Sequence, residues 1–250
     1  VLFNGEPSPS SGRFLGGAKI LPKNGVWIDI DTSRRGKISV KIDRRRKIAI
    51  TTILRIFGLE TDEQIKAAFE DVDTNPEISY IEKTLSKDPS KSVDEAVLDV
   101  YRKMRPGEPL VLENARELVD SMFFNKRRYS LGKVGRFRMN GKLGLDFPNE
   151  KDYWLLQLED WIKIVERIIK MNNNEEEPDD IDNLGNRRIR GVGELLQNEI
   201  RIGFLQISKN AKERMSLKDR DKLPDPESLI SPRAVTAKIQ GFLASGRLSQ

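Results

Sequence analysis

The sequence predicts an α+β fold, mainly helical with a small N-terminal antiparallel sheet, on three observations. Between Phe14 and Ile42, branched and aromatic residues alternate between Gly and Asn punctuation, the pattern of short strands joined by tight turns. From Ile48 onward, apolar residues recur at the three- to four-residue spacing of a helix with one buried face. A later segment, GVGELLQNEIRIGFLQISKNAKERMS, carries a second apolar stripe and a basic end.

The elements follow in order. RFLGGAKILP, VWIDID and KISVKID read as strands, with NG and RRG as the turns between them. Helices are expected near residues 48–57, 61–70, 76–86, 92–104 and 112–124, with Gly58 as the stop of the first. Thr61 with Gln64, and Ser92 with Glu95, have capping-box spacing: the hydroxyl accepts one orphan backbone N–H, and the residue three places on accepts another. RPGEP, from Arg105, is a Pro-Gly turn. Tyr153 to Met171 reads as one long amphipathic helix with Trp154 and Trp161 on its core side, followed by a linker over Asn172 to Asp180. No internal repeat is visible.

Length and composition limit the chemistry. A chain of 250 residues can form one large domain or two ordinary ones, and is long enough for a real core. With 0 Cys and 0 His, zinc sites, thiol catalysis, disulfides and histidine acid–base chemistry are excluded within these residues. No apolar run approaches the roughly 20 residues needed to cross a bilayer, so a soluble, cytoplasmic chain without membrane partners is expected. It begins at Val1 without a methionine and ends on GRLSQ, which reads as a piece of something larger.

The net charge is +5 at 33% charged residues, and the cations are clustered: Arg44 to Lys47, Lys126 to Arg128, and Arg187, Arg188 and Arg190. Clusters suit a polyanion, because neutralising adjacent phosphates releases condensed counterions. Arg105, Arg128 and Arg136 could follow a DNA backbone, or could equally be solubilising charge. Any cluster could also be a solvated face or pair with the acidic run.

That run raises the sharpest question. EEEPDDIDNLGNRRIRGVGE, from Glu175 to Glu194, sets seven acidic groups against three arginines around a Leu-Gly-Asn turn. Asp179, Asp180 and Asp182 lack the spacing of a calcium loop and its trailing glutamate, so no metal site is assigned. No Ser-Lys or paired-carboxylate engine stands out either, and no catalytic residue is assigned. Reading a base edge, however, requires both signs: for guanine, a carboxylate for N1–H and N2–H₂ and an arginine for O6 or N7. An unstacked base also wants an aromatic platform, and Trp27 stands just ahead of Ile28 and Asp29.

Four blocks, IDNLGNRRIRGVGELLQNEIRIG, VKIDRRRKIAITTILRIFG, VYRKMRPGEP and RRYSLGKVGRFRMNGKLG, together resemble the beta subunit of bacterial DNA-directed RNA polymerase, over essentially the whole chain. The ending SGRLSQ resembles the phrase leading into that family's rifampicin-pocket segment. The resemblance implies a lobe domain over 1–183 and the C-terminal part of a protrusion domain over 184–250, forming one pincer of the DNA cleft. It implies a pocket for an unpaired non-template-strand guanine at the downstream edge of the bubble. Asp182 and Arg187 match the residues that hydrogen-bond that guanine, Ile181 its wall, Trp27 the tryptophan that stacks on the preceding base, and Asp43 a further pocket-side residue. Arg45 is taken as a DNA contact. Where the family commonly has histidine, this chain has Asn183. The implied partners are DNA, the beta-prime, alpha and omega subunits and a sigma factor. The implied setting is the nucleoid, and no cofactor is expected in this part: the magnesium of the complete enzyme is held mainly by another subunit. Without the resemblance, composition and charge would equally fit a non-enzymatic nucleic-acid-binding scaffold protein.

Overall fold

The computed structural model describes residues 1–7, 14–217 and 225–244, so the SGRLSQ ending lies outside the described residues. The chain forms two compact units, Val1–Asn186 and Arg187–Gln250.

The first unit opens with a five-stranded antiparallel meander: β1 (Leu2–Pro7), β2 (Phe14–Ile20), β3 (Ile28–Thr32), β4 (Ile38–Ile42) and β5 (Ile48–Ala49). In β3, Ile28, Ile30 and Thr32 are buried while Asp29 and Asp31 are half-buried, the two-residue period of a sheet with one face on the core. Ile28 pairs with Ile42, and Ile30 with Val40, so the buried face continues across the strands. The double glycine in β2 is a matter of close approach. A Cβ on Gly17 would lie 2.6 Å from the Ile30 carbonyl oxygen, and one on Gly16 would lie 3.2 Å from the Asn172 side-chain oxygen.

Helices cover this sheet: α1 (Ile50–Phe57), α2 (Asp62–Phe69), α3 (Tyr80–Leu85), α4 (Val93–Met104), α5 (Leu112–Val119), α6 (Gly132–Leu143) and α7 (Leu158–Asn172). α7 packs on β2, and α4 on both α1 and α5. Trp161 is fully buried at the junction, its ring 5.3 Å from that of Phe57, which also meets Phe123 at 5.6 Å. Gly58 ends α1 at φ +128°, a conformation that favours glycine. The α+β architecture is the one expected, and among the described residues no helix is long and apolar enough to cross a membrane.

Several local expectations are corrected. β1 adds a strand ahead of the expected three, and Ile48–Ala49 extend the sheet rather than start a helix. The Asn24–Gly25 pair is no two-residue hairpin: Asn24 leaves the sheet to exchange backbone hydrogen bonds with Ser130, at 3.1 and 2.9 Å. Thr61 and Gln64 form the complete capping box, whereas Glu95 accepts from the Lys91 backbone N–H and only the Ser92 half of the second box is made. The helix expected from Tyr153 begins at Leu158. Before it, Lys151–Trp154 form a 3₁₀ turn, and the carbonyls of Tyr153, Trp154 and Leu155 accept from Arg136, Leu131 and Arg136 instead of continuing a helical ladder. Trp154 is consequently half-buried, with its indole N–H on the Asn149 side-chain oxygen, while Trp161 alone is a core residue.

The expected linker is strapped down. The Asn172 side chain is buried, accepting from the Gly16 N–H at 2.6 Å and donating to Thr32 Oγ1 at 3.1 Å. Asp179 exchanges backbone and carboxylate hydrogen bonds with Phe3 on the edge strand β1, and its carboxylate also takes Lys142 Nζ at 2.7 Å. These contacts satisfy backbone groups that an edge strand would otherwise leave open.

The second unit consists of the long helix α8 (Val192–Leu217), a short helix α9 (Pro226–Leu229) and α10 (Arg233–Ala244), with α10 packed on α8.

Candidate nucleic-acid interface

The chain from β4 to β5 turns sharply. Asp43 and Arg44 have φ +48° and +58°, and the Arg45 N–H donates to the Ile42 carbonyl at 2.9 Å, closing a tight turn with two left-handed central residues. Aspartate tolerates this conformation better than most residues; arginine does so at a cost. The turn reaches back to the start of β3. Asp43 Oδ1 accepts the Trp27 backbone N–H at 3.1 Å, and the Asp43 N–H donates to the Trp27 carbonyl at 2.9 Å. Trp27 is thereby held by its backbone while its side chain remains half exposed, at 50%. Above the indole lies the Arg44 guanidinium, 5.9 Å from the ring centre.

The neighbouring arginine points elsewhere. Arg45 donates to the Met104 carbonyl at 2.6 Å, although its side chain is still largely exposed.

Ile181 and Asp182 lie on a second feature, the loop that closes the first unit. Asp180 Oδ1 accepts the Asp182 N–H at 2.9 Å, and Asn183 Oδ1 accepts the Gly185 N–H at 2.8 Å, two successive Asx turns. The Asn186 amide donates to the Asp180 carbonyl at 2.7 Å and closes the loop, while Arg138 of α6 anchors it through the Gly185 carbonyl. Asn183 thus acts through its side-chain oxygen, as an acceptor for the loop backbone. The Asp182 carboxylate is exposed and has no hydrogen-bond or ion-pair partner among the described residues. Ile181 and Leu184 are exposed beside it. Arg187, the first residue of the second unit, is exposed as well.

The structure therefore joins Trp27, Asp43 and Arg44 in one cluster and Ile181 and Asp182 in another. Among the described residues no hydrogen bond, ion pair or ring contact links the two. Sequence reasoning missed Arg44, which nothing in a run of three arginines singles out, and Arg138 and Asn186, whose service is to the loop backbone.

Within the long acidic stretch, one pair of opposite charges meets, Arg188 with Glu194, while two of its other carboxylates take cations from elsewhere in the fold. Glu176 pairs with Arg167 at 2.9 Å, Asp179 with Lys142, and Arg188 with Glu194 at 2.6 Å. Of the three arginines considered for a DNA backbone, Arg136 is fully buried and unavailable to it, spent on Asp160 and two carbonyls. The other two line an open groove of about 530 Å³ together with Tyr101, Glu108, Asn114 and Ser121. There Glu108 accepts from the Tyr101 hydroxyl at 2.6 Å and Arg105 at 3.2 Å, and Arg128 donates to Ser121. The Tyr101 hydrogen bond, then Arg105, hold the Glu108 carboxyl below its ordinary range.

Residues 17–190 match the family model described as RNA polymerase Rpb2, domain 2. The chain belongs to that family. The span of this Rpb2 domain 2 match includes Trp27, Asp43, Arg44, Arg45, Ile181, Asp182 and Arg187. The whole chain is also 42% identical, over 251 residues, to the DNA-directed RNA polymerase subunit beta of Dehalococcoides mccartyi strain CBDB1, covering 20% of that protein. The subunit of the same name from Chloroflexus aggregans is 42% identical over 277 residues, and that from Streptomyces coelicolor 37% over 262, each with all of this chain and 22% of the relative covered. The chain thus spans about a fifth of the length of the curated relatives it matches.

Proposed function

We propose that this chain is the DNA-binding part of a beta subunit of DNA-directed RNA polymerase, acting in DNA-templated transcription. Its first unit serves as the lobe and its second as part of the protrusion, and together they make one pincer of the cleft that grips DNA. The reaction, nucleotidyl transfer on magnesium, takes place mainly on another subunit. The partners are DNA, the beta-prime, alpha and omega subunits and a sigma factor, in the cytoplasm at the nucleoid.

Within that enzyme, the Asp182 loop reads an unpaired guanine of the non-template strand. The observation that carries this reading is the exposed Asp182 carboxylate, without a partner among the described residues, on a loop fixed by two Asx turns and an arginine anchor. An acceptor held this way meets the guanine N1–H and N2–H₂ without first breaking a contact. No other base offers two donors in that arrangement. Ile181 supplies an apolar wall, Trp27 a stacking face for the adjoining base, and Arg45 and Arg187 are further DNA contacts.

The test is Asp182→Ala in the full-length subunit, assembled into polymerase and assayed on promoters that differ only in that non-template base. The expected result is a loss of guanine preference worth about 1–3 kcal/mol, with affinity for the other three bases nearly unchanged. Equal weakening for all four bases would overturn the assignment. A chain that binds DNA but supports no templated RNA synthesis would overturn the polymerase reading itself.

A further inference from the structure

We propose that Arg44 is the second plate of a clamp whose first plate is the Trp27 indole, and that an unstacked base enters between them. The inference rests on the reading that Trp27 stacks on a base beside the guanine, and it adds a residue that neither the sequence nor the resemblance selected.

Three observations carry it. The first is the spacing. A guanidinium carbon 5.9 Å from the ring centre is at the outer limit of a cation–π contact, which weakens beyond about 6 Å. A flat base between two plates needs roughly twice the stacking distance of about 3.4 Å, so the contact has to widen for a base to enter. The contact is loose enough to part without the loss of a strong bond.

The second is the absence of any competing use. Arg44 is exposed and has no ion pair or hydrogen bond among the described residues, whereas Arg45 beside it donates to the Met104 carbonyl and Lys47 lies 4.0 Å from Asp31. Arg46 is likewise exposed and without such a partner among the described residues, and of the two Arg44 is the one that lies over the indole.

The third is the backbone. Arg44 sits at φ +58°, a conformation that a side-chain-bearing residue adopts at a cost and that glycine or asparagine would adopt freely. The turn is held in place by the paired Asp43–Trp27 hydrogen bonds, which couple the arginine's carrier directly to the tryptophan's backbone. Both plates thus hang from one small, hydrogen-bonded frame. A guanidinium is planar, weakly hydrated and able to stack, while an ammonium is a compact hydrated charge, so the clamp requires arginine rather than positive charge alone.

The experiment uses full-length subunits carrying Arg44→Ala, Arg44→Lys, Arg44→Gly or Trp27→Ala, assembled into polymerase. Open complexes are formed on a promoter with 2-aminopurine at the non-template base preceding the guanine, and stacking is read as quenching of its fluorescence. All three Arg44 variants should lose part of the quenching and release the open complex roughly two- to fivefold faster. The effect should be nearly the same whichever natural base occupies that position, because every base has a stacking face. Arg44→Gly removes backbone strain as the cause, since glycine accepts the turn. Native quenching and lifetime in Arg44→Ala, or full recovery in Arg44→Lys, would overturn the clamp. If Trp27→Ala loses the quenching while the Arg44 variants keep it, the stacking platform stands and only Arg44 is removed. If Trp27→Ala also behaves as native, the platform itself falls and the clamp with it.

Discussion

The Asp43 carboxylate accepts the backbone N–H of Trp27 at 3.1 Å while the Trp27 carbonyl accepts the backbone N–H of Asp43 at 2.9 Å. The aspartate therefore presents the tryptophan. Asp43→Asn keeps a side-chain oxygen at the same place and a residue type that tolerates φ +48°. Asp43→Ala loses the acceptor and puts a Cβ-bearing residue without compensation into a left-handed conformation. The expected cost of alanine is about 1–2 kcal/mol, and of asparagine under about 0.5 kcal/mol, read from urea unfolding of the two variants against the parent chain.

Asn172 is a stitch between α7 and the sheet. Its amide takes the Gly16 N–H and gives a hydrogen bond to Thr32 Oγ1 in a site only 4% exposed. Asn172→Ala strands a buried backbone donor, and leaving such a group unsatisfied costs about 1–3 kcal/mol. Asn172→Asp keeps the acceptor but introduces a buried charge, so it should also destabilise. The midpoint of thermal unfolding checks both.

What could be read from residue order, and what could not, follows from the range of the interactions involved. The alternation in IDIDT and ISVKI and the Thr61–Gln64 box are local patterns, and they formed as read. LFNGEP has neither alternation nor a β-branched residue, yet becomes β1 because β2 pairs with it, Phe3 opposite Ala18 and Gly5 opposite Gly16. The periodicity of Tyr153 to Met171 is real, but Arg136 and Leu131 take the carbonyls that would have continued the helix toward its N-terminus. Asn24–Gly25 has the composition of a hairpin turn, and only the distant Ser130 draws it out of the sheet. At the candidate site, the carboxylate and the tryptophan were visible as residue types. Which arginine of the RRR run faces the indole was decided by the sign of two φ angles.

Arg136 and Asp160 form a bidentate pair with both side chains at 0% exposure, and the guanidinium also serves the carbonyls of Tyr153 and Leu155. Removing one member strands the other. Arg136→Met should cost about 3–5 kcal/mol, because it leaves a buried carboxylate with a single backbone donor, the Gln157 N–H. Asp160→Asn on top of Arg136→Met removes the stranded charge and keeps that acceptor. The double variant is therefore expected to be more stable than Arg136→Met alone, a non-additivity that a double-mutant cycle in urea measures directly. Strict additivity would mean that the two groups contribute to stability independently.

The last prediction concerns acid. The Lys91 hydrogen bond first, and then the buried Arg55, hold the Asp62 carboxyl below its ordinary value of 3.8. A carboxylate whose pKa is depressed in the folded state binds fewer protons there than in the unfolded chain. Its contribution is therefore fully present above the unfolded value and is lost as pH falls from 3.8 through the lower folded value. Glu108 acts in the same direction, starting from its ordinary 4.5. Stability should thus be insensitive to these two groups between neutrality and about pH 5, then fall as pH drops further. Asp62→Asn should be less stable than the parent at neutral pH, because it removes the charge that pairs with the buried Arg55 guanidinium and with Lys91 and leaves them only a neutral oxygen, and should lose less stability on acidification. Unfolding midpoints at a series of pH values, taken on parent and variant together, decide it: parallel curves would show that Asp62 contributes nothing to the acid limb.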